Sequence, residues 1–386
     1  MKTRLLALAL VVAVLLSGCA SMLQQSYSSS VKHVEYTVAE DSSSLRAETY
    51  RGLVDAILYF VNEHVTQGVI RLYNYTSNVE EDLANACLEV TEEDPLGAFA
   101  VEDITYEFSR IVSYYEVNVS LTFSRTIEEI DSLQLASGPS GIRMKIQDAV
   151  AAFAPTLLLR VSYFSDDADS IRAMVAQAYY DTPSSAFGMP EVRVSIYPES
   201  GSQRIIAIEL DWPTSRAALI QQSGELIWAA DELLSLNPPA DEQYTPAELA
   251  TLLLQSIPPI DPEGASDPLS ALASLPADQL AHTLALELLF QRAGIDATLA
   301  TGFVGGVSTC WLIVDSGDGY RHLPFASTVE EIQLCTDLEM SGLGYLWAED
   351  MYPDCVNYNA EISGIPPSSD EVPADGTSDA PSAESS

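Results

Sequence analysis

Two stretches of this 386-residue chain, 46–127 and 140–217, repeat one order of hydrophobic patterns, and that repetition limits the fold more than any other feature. Each opens on an apolar face at helical spacing: Leu53, Ile57 and Phe60 in the first, Ile146, Val150 and Phe153 in the second. Both segments carry Asp-Ala before a β-branched residue, at Asp55 and at Asp148. A strand follows (69–73 and 158–163), then a second helix (80–89 and 170–179). A Pro-x-x-Ala-Phe connector, from Pro95 to Phe99 and from Pro183 to Phe187, leads into two alternating strands. The last of these turns Val117, Val119, Leu121 and Phe123 to one face, and in the second copy Ile206, Ile208, Leu210 and Trp212. Period-two alternation predicts one buried and one wet face. The fold class is therefore α+β, built on two duplicated α-β-α-β-β units small enough to share one core.

Charge narrows the partners. The chain has 17 Lys+Arg against 56 Asp+Glu, a formal net charge of −39. Nucleic-acid binding needs a cationic surface to release counterions from phosphates, so it is excluded. Docking on anionic lipid by charge is excluded for the same reason. Hydrophobic residues at 47% still provide for real cores. Arg71 and Arg160 occupy matching strand positions in the two copies, where each is expected to pair with a neighbouring carboxylate. The acidic runs at 102–107 and 166–169 lack the spacing of a calcium loop, and no metal or cofactor motif is expected.

At the N-terminus, Lys2 and Arg4 precede an apolar run, 5–16, that is too short to span a bilayer needing about 20 residues. Its length is that of a signal-peptide core. The run ends in Leu16-Ser17-Gly18-Cys19, which resembles the lipobox of bacterial lipoproteins. That resemblance implies removal of residues 1–18, a diacylglyceryl group on Cys19, and a tether over 19–45. Two acyl chains hold a protein stably where one is marginal. The expected location is extracytoplasmic, with the membrane as a partner through the lipid on Cys19. In an oxidising compartment the remaining cysteines, Cys87, Cys310, Cys335 and Cys355, can form disulfides. Cys335 and Cys355 flank one Gly-containing segment and are the first expectation for a bridge; four free buried thiols are the alternative.

Residues 218–362 form the third region, opening on an apolar-periodic helix over 217–236. A second helix restarts with Thr245 as N-cap and Pro246 in its first turn. From 363 to 386 the chain is Ser, Pro, Ala and acid with no base, a composition that does not fold. Between them, the core of 267–327 reads as a helix over 278–293 closed by Gly294, then strands near 297–303, 308–314 and 320–325. A helix on an antiparallel sheet is the expected arrangement.

This order resembles the bacterial transglutaminase-like domain, a papain-like fold whose helix opens on a nucleophilic Cys in Cys-x-Gly-Tyr-Ala and closes in Arg-x-x-Gly-Ile. Its next strands carry His-Ala-Trp and then an Asp. The helix end here, Arg292-Ala293-Gly294-Ile295, fits with Arg292 one residue nearer the Gly. Ser270-Ala271-Leu272 stands for the family's Tyr-Gly-Ala-Leu approach, Trp311 for the Trp, and Tyr320-Arg321-His322-Leu323 for the lead-in to the Asp. The matched triad positions hold Gln279, Thr309 and Pro324, which supply no nucleophile, no base and no carboxylate.

The resemblance thus implies a catalytically dead domain. Its residual cleft would be lined by Gln279, His282, Thr309, Trp311 and His322, and would serve a peptide or envelope-protein partner as a binding or scaffolding module. The alternative is a cysteine acyltransferase or peptidase with a relocated site using Cys310, His282 or His322. Strand alternation opposes it, because Cys310 points away from the face of Thr309 and Trp311. A third reading is a structural spacer with a filled cleft.

Overall fold

A computed structural model describes residues 44–356; Cys19, the 1–18 leader, all but the end of the 19–45 tether and the 363–386 tail lie outside them. The first sheet contains β1 (Ser44–Ala47), β2 (Gln67–Tyr73), β3 (Val101–Ile111) and β4 (Tyr114–Phe123) in the order β1-β2-β4-β3. β1 lies parallel to β2, and the other pairs are antiparallel. The connecting helices are α1 (Tyr50–Asn62), α2 (Val79–Leu88) with a π turn at Glu89–Glu93, and α3 (Pro95–Ala100). Leu53, Ile57 and Phe60 of α1 are fully buried, as the helical spacing predicts. Gly68 lets α1 close on β2: a Cβ there would sit 2.3 Å from the Phe60 ring.

After the short helix α4 (Ile127–Asp131), the second sheet repeats that order as β5-β6-β8-β7. Its strands are β5 (Gln134–Ser137), β6 (Thr156–Ser162), β7 (Glu191–Tyr197) and β8 (Gln203–Asp211), with α5 (Gly138–Ala151) and α6 (Ala168–Tyr180) between them. β5 is parallel to β6 and the rest are antiparallel. Both sheets thus begin one strand earlier than the sequence pattern indicates. Ser44-Leu45-Arg46-Ala47 and Gln134-Leu135-Ala136-Ser137 are only four residues long, too short for alternation to register. Of the two matched arginines, Arg71 pairs with Glu116 at 3.4 Å; Arg160 has no ion pair among the described residues.

The third region contributes α7 (Arg216–Leu236), α8 (Pro246–Ser256), α9 (Pro268–Leu272) and α10 (Gln279–Ala293). Its sheet holds β9 (Ala297–Val304), β10 (Val307–Asp315), β11 (Tyr320–Leu323) and β12 (Tyr345–Leu346), with α11 (Asp337–Gly342) before β12. The order is β11-β10-β9-β12, antiparallel throughout. Thr245 caps α8 as expected, with Glu248 completing a capping box, and Gly294 closes α10 in the left-handed region at φ 78°. Gly302 is needed where β12 approaches β9, since a Cβ there would meet the Leu346 carbonyl at 2.2 Å.

The chain divides into two compact units, residues 1–125 and 126–386. In the second, one core joins the repeat to the third region: Tyr179 and Ala186 pack with Leu284, Phe290, Leu299 and Leu312. Among the described residues no helix is long and apolar enough to cross a membrane.

Candidate functional site

The N-terminus of α10 is fixed by Asp278, whose Oδ1 accepts from the Ala281 amide at 2.9 Å while Ser266 Oγ donates to Oδ2. That cap aims the next side chain, Gln279, at β10. Gln279 Nε2 donates to Thr309 Oγ1 at 3.0 Å and to the Cys310 carbonyl at 2.8 Å. Two of the three matched triad positions therefore touch, and both protons of the amide are engaged. The third, Pro324, is buried and lines a neighbouring cavity of about 30 Å³ together with His282, Trp311 and Phe325. A volume of that size holds about one water.

His282 is buried, with Nδ1 2.7 Å from the Asp278 carbonyl and Nε2 3.0 Å from the Pro258 carbonyl. Its ring ties the first turn of α10 to the segment that follows α8. Cys310 faces α10, where its thiol lies 3.6 Å from Thr283 Oγ1, while Trp311 turns to the other side of the strand into a cluster with Ala300, Ile313 and Met340. The two lie on opposite faces of β10, as strand alternation predicts, but the thiol is on the side turned to α10 and not away from the helix that carries Gln279. Burial pushes the Cys310 thiol up to about 11.

His322 belongs to a constellation that the sequence reading only half finds. Trp311 Nε1–H donates to His322 Nδ1 at 2.9 Å, and His322 Nε2 lies 2.8 Å from Asp337 Oδ1. An indole N–H can only donate, so Nδ1 carries no proton and Nε2 donates to the carboxylate. Burial lowers the pKa of His322, with Asp337 acting the other way. Asp337 Oδ2 accepts from the Cys355 amide at 2.9 Å. The sequence reading misses Asp337, which is the first residue of a helix capped by Thr336 and Glu339.

Donor atoms of His322, Asp337 and Cys355 lie within 4.8 Å of one another, which raises the question of a metal. The set does not fit one. A histidine that ligates through Nε2 keeps its proton on Nδ1 and donates it to an acceptor, whereas here Nδ1 faces a donor. For the same reason neither nitrogen of His322 offers a free lone pair to a cysteine.

The expected bridge between Cys335 and Cys355 is not formed. Both are free thiols in the Trp311 cluster, each held by a different backbone pair: Cys335 exchanges hydrogen bonds with His322, and the Cys355 carbonyl accepts from Asp337. Burial raises the Cys335 thiol, and burial with the adjacent Asp337 carboxylate raises Cys355 to about 12. Lower on α10, Glu287 is fully buried, and neither carboxylate oxygen has a hydrogen bond of ordinary geometry among the described residues, the Leu299 amide being a weak donor to it. Burial and then the Asp181 carboxylate hold its pKa well above the usual range, with the Leu299 amide opposing; burial takes Asp181 itself to about 6.

No protein-family model matches the chain, and no curated protein matches it in sequence. Among solved structures it is similar to the crystal structure of a provisionally assigned protease from Parabacteroides distasonis ATCC 8503, at 11% identity and a TM-score of 0.21. The match covers 67% of this chain and 40% of that protein, so the chain spans less than half of its length.

Proposed function

We propose that this is a lipid-anchored extracytoplasmic protein in which two copies of a β-α-β-α-β-β unit precede a transglutaminase-like frame without its chemistry, and that it serves as a scaffold at the cell envelope. The observation that carries the reading is the hydrogen bond from Gln279 to Thr309. A side-chain pair that cannot ionise occupies the place where the resemblance puts nucleophile and base. The matching strand orders of the first two sheets support the duplication. Scaffolding is favoured over peptide capture because both Gln279 amide protons are engaged by Thr309 and the Cys310 carbonyl, and the cavity beside them, at about 30 Å³, is an order of magnitude below ligand pockets of roughly 300 Å³ or more. The partner is then another envelope protein that engages the outer surface. A relocated cysteine enzyme finds no support in raised, buried thiols or in a histidine with both nitrogens engaged.

The test has a chemical and a cellular arm. At pH 7.5 iodoacetamide is expected to label Cys310 about a hundredfold more slowly in the folded than in the urea-unfolded chain, and amide hydrolysis or crosslinking by the parent should not exceed that of Gln279→Ala. In a bacterium that processes lipoproteins, Cys19→Ser should move the chain from the membrane to the soluble fraction. Fast labelling with amide turnover overturns the non-catalytic reading; an unchanged membrane fraction overturns the anchor.

A further inference from the structure

The face of the third sheet turned away from α10 is closed by the segment that follows β12. This strap, 347–356, holds a single short 3-10 turn, Glu349–Met351, and pairs with no strand among the described residues. Trp347, Tyr352 and Cys355 lay it against Ala300, Trp311 and Ile313. Midway, the Thr301 amide donates to the Tyr352 hydroxyl at 3.1 Å. The far end hangs on two side chains and one amide. Asp337 takes both main-chain groups of Cys355: its own amide donates to the Cys355 carbonyl, and its Oδ2 accepts from the Cys355 amide, each at 2.9 Å. Arg321 Nη1 donates to the Val356 carbonyl at 3.0 Å. A segment held by so few bonds is the kind that opens before the sheet beneath it.

Beneath the strap the His322 ring is 0% exposed, with the Trp311 and Trp347 rings 6.1 and 4.8 Å away between centroids. Its surroundings admit only the neutral ring. A second proton has to enter at Nδ1, which faces the indole N–H of Trp311, so two donors then oppose each other. Asp337 favours the cation but answers only Nε2. The other ionisable groups around the ring offer Nδ1–H no acceptor. On α11 the Glu339 carboxylate is bonded to Thr336, and on β11 Arg321 is itself a cation, 3.6 Å from Asp318. Asp354 of the strap is exposed, and burial raises the Cys335 and Cys355 thiols and the Tyr345 phenol, which carry no charge in acid. The new proton is satisfied by water, which reaches the ring when the strap lifts; a donor left buried and unpaired costs more.

We infer that His322 is a proton-operated latch: while neutral it keeps Asp337 pinning the 347–356 strap over the third sheet, and once protonated it frees the strap and uncovers the Trp311 face. The test is hydrogen exchange of the full chain at pH 7.5 and at pH 5, corrected for intrinsic rates and read peptide by peptide. Protection over 347–356 should fall about tenfold or more at pH 5. β9, β10 and α10 should keep theirs, because Glu287 and Asp181 act in the opposite sense and favour the fold as pH falls. His322→Gln brings one donor group and one acceptor but takes up no proton, so its strap should stay protected at both pH values. Strap protection that is level between the two pH values, or that is lost as much in His322→Gln as in the parent, overturns the proposal. If His322→Gln does not fold, the parent decides. The midpoint of strap loss should then coincide with the titration of the His322 ring protons by nuclear magnetic resonance, and midpoints more than about one pH unit apart overturn it.

Discussion

Replacing Trp311 by Ala is expected to destabilise the unit formed by residues 126–386 by about 3–5 kcal/mol. Trp311 is first among the largest fully buried side chains and centres its cluster, with Tyr345 at 5.2 Å and Trp347 at 6.1 Å between ring centroids. Truncation loses that packing and leaves the Nδ1 acceptor of buried His322 without its donor. Trp311→Phe separates the two effects, because it keeps a ring but removes the N–H. Its expected cost is about 1–3 kcal/mol, the range for a buried polar atom left unpaired. Urea unfolding followed by far-ultraviolet circular dichroism measures both, and avoids the change in fluorescence that loss of a Trp brings. A cost below about 1 kcal/mol for Trp311→Ala would remove the view that this indole and His322 hold the third sheet together.

How much of this was legible in the sequence follows from how local each signal is. The helical faces of α1 and α5, the Thr245 cap of α8 and the Gly that ends α10 are all set by residues within a turn or two of one another, and each lies where the pattern put it except Phe153, which is buried just past the end of α5. Gln279 and Thr309 meet because a helix start and a strand centre are each fixed by their own periodicity. What could not be read depends on distant pairing. β1 and β5 are four-residue strands whose identity comes from their parallel neighbours. Asp337 joins His322 only because the chain after β11 folds back, with Cys335 bonded to His322. The expected disulfide failed on the same ground: flanking a glycine segment brought the two cysteines into one cluster but did not set their backbone partners.

Stability should fall as pH rises above about 4.5, and Glu287 should be a principal cause. Its ordinary value is 4.5 and the folded value lies well above it, so below 4.5 both the folded and the unfolded chain hold the proton. As pH rises the unfolded chain releases it and the folded chain does not. The folded state then binds more protons, and stability is lost by up to about 1.4 kcal/mol per pH unit until the folded carboxyl itself ionises. Asp181 adds the same sign between 3.8 and about 6. His322 runs the other way: its folded pKa lies below 6.5, so its share is lost as pH falls through that region. Glu287→Met keeps an unbranched side chain and removes the poorly satisfied buried carboxylate, so it should gain about 1–3 kcal/mol at pH 8. It should flatten the loss above 4.5 while leaving the His322 limb in place. Glu287→Gln, which cannot ionise but keeps polar atoms, should flatten the slope with a smaller gain. Urea midpoints at pH 5, 6, 7 and 8 for the parent and both variants make the comparison. A parent curve that is level or rising across this range, or a Met variant less stable than the parent at pH 8, would mean that the Glu287 carboxyl has partners that keep it ionised inside the fold.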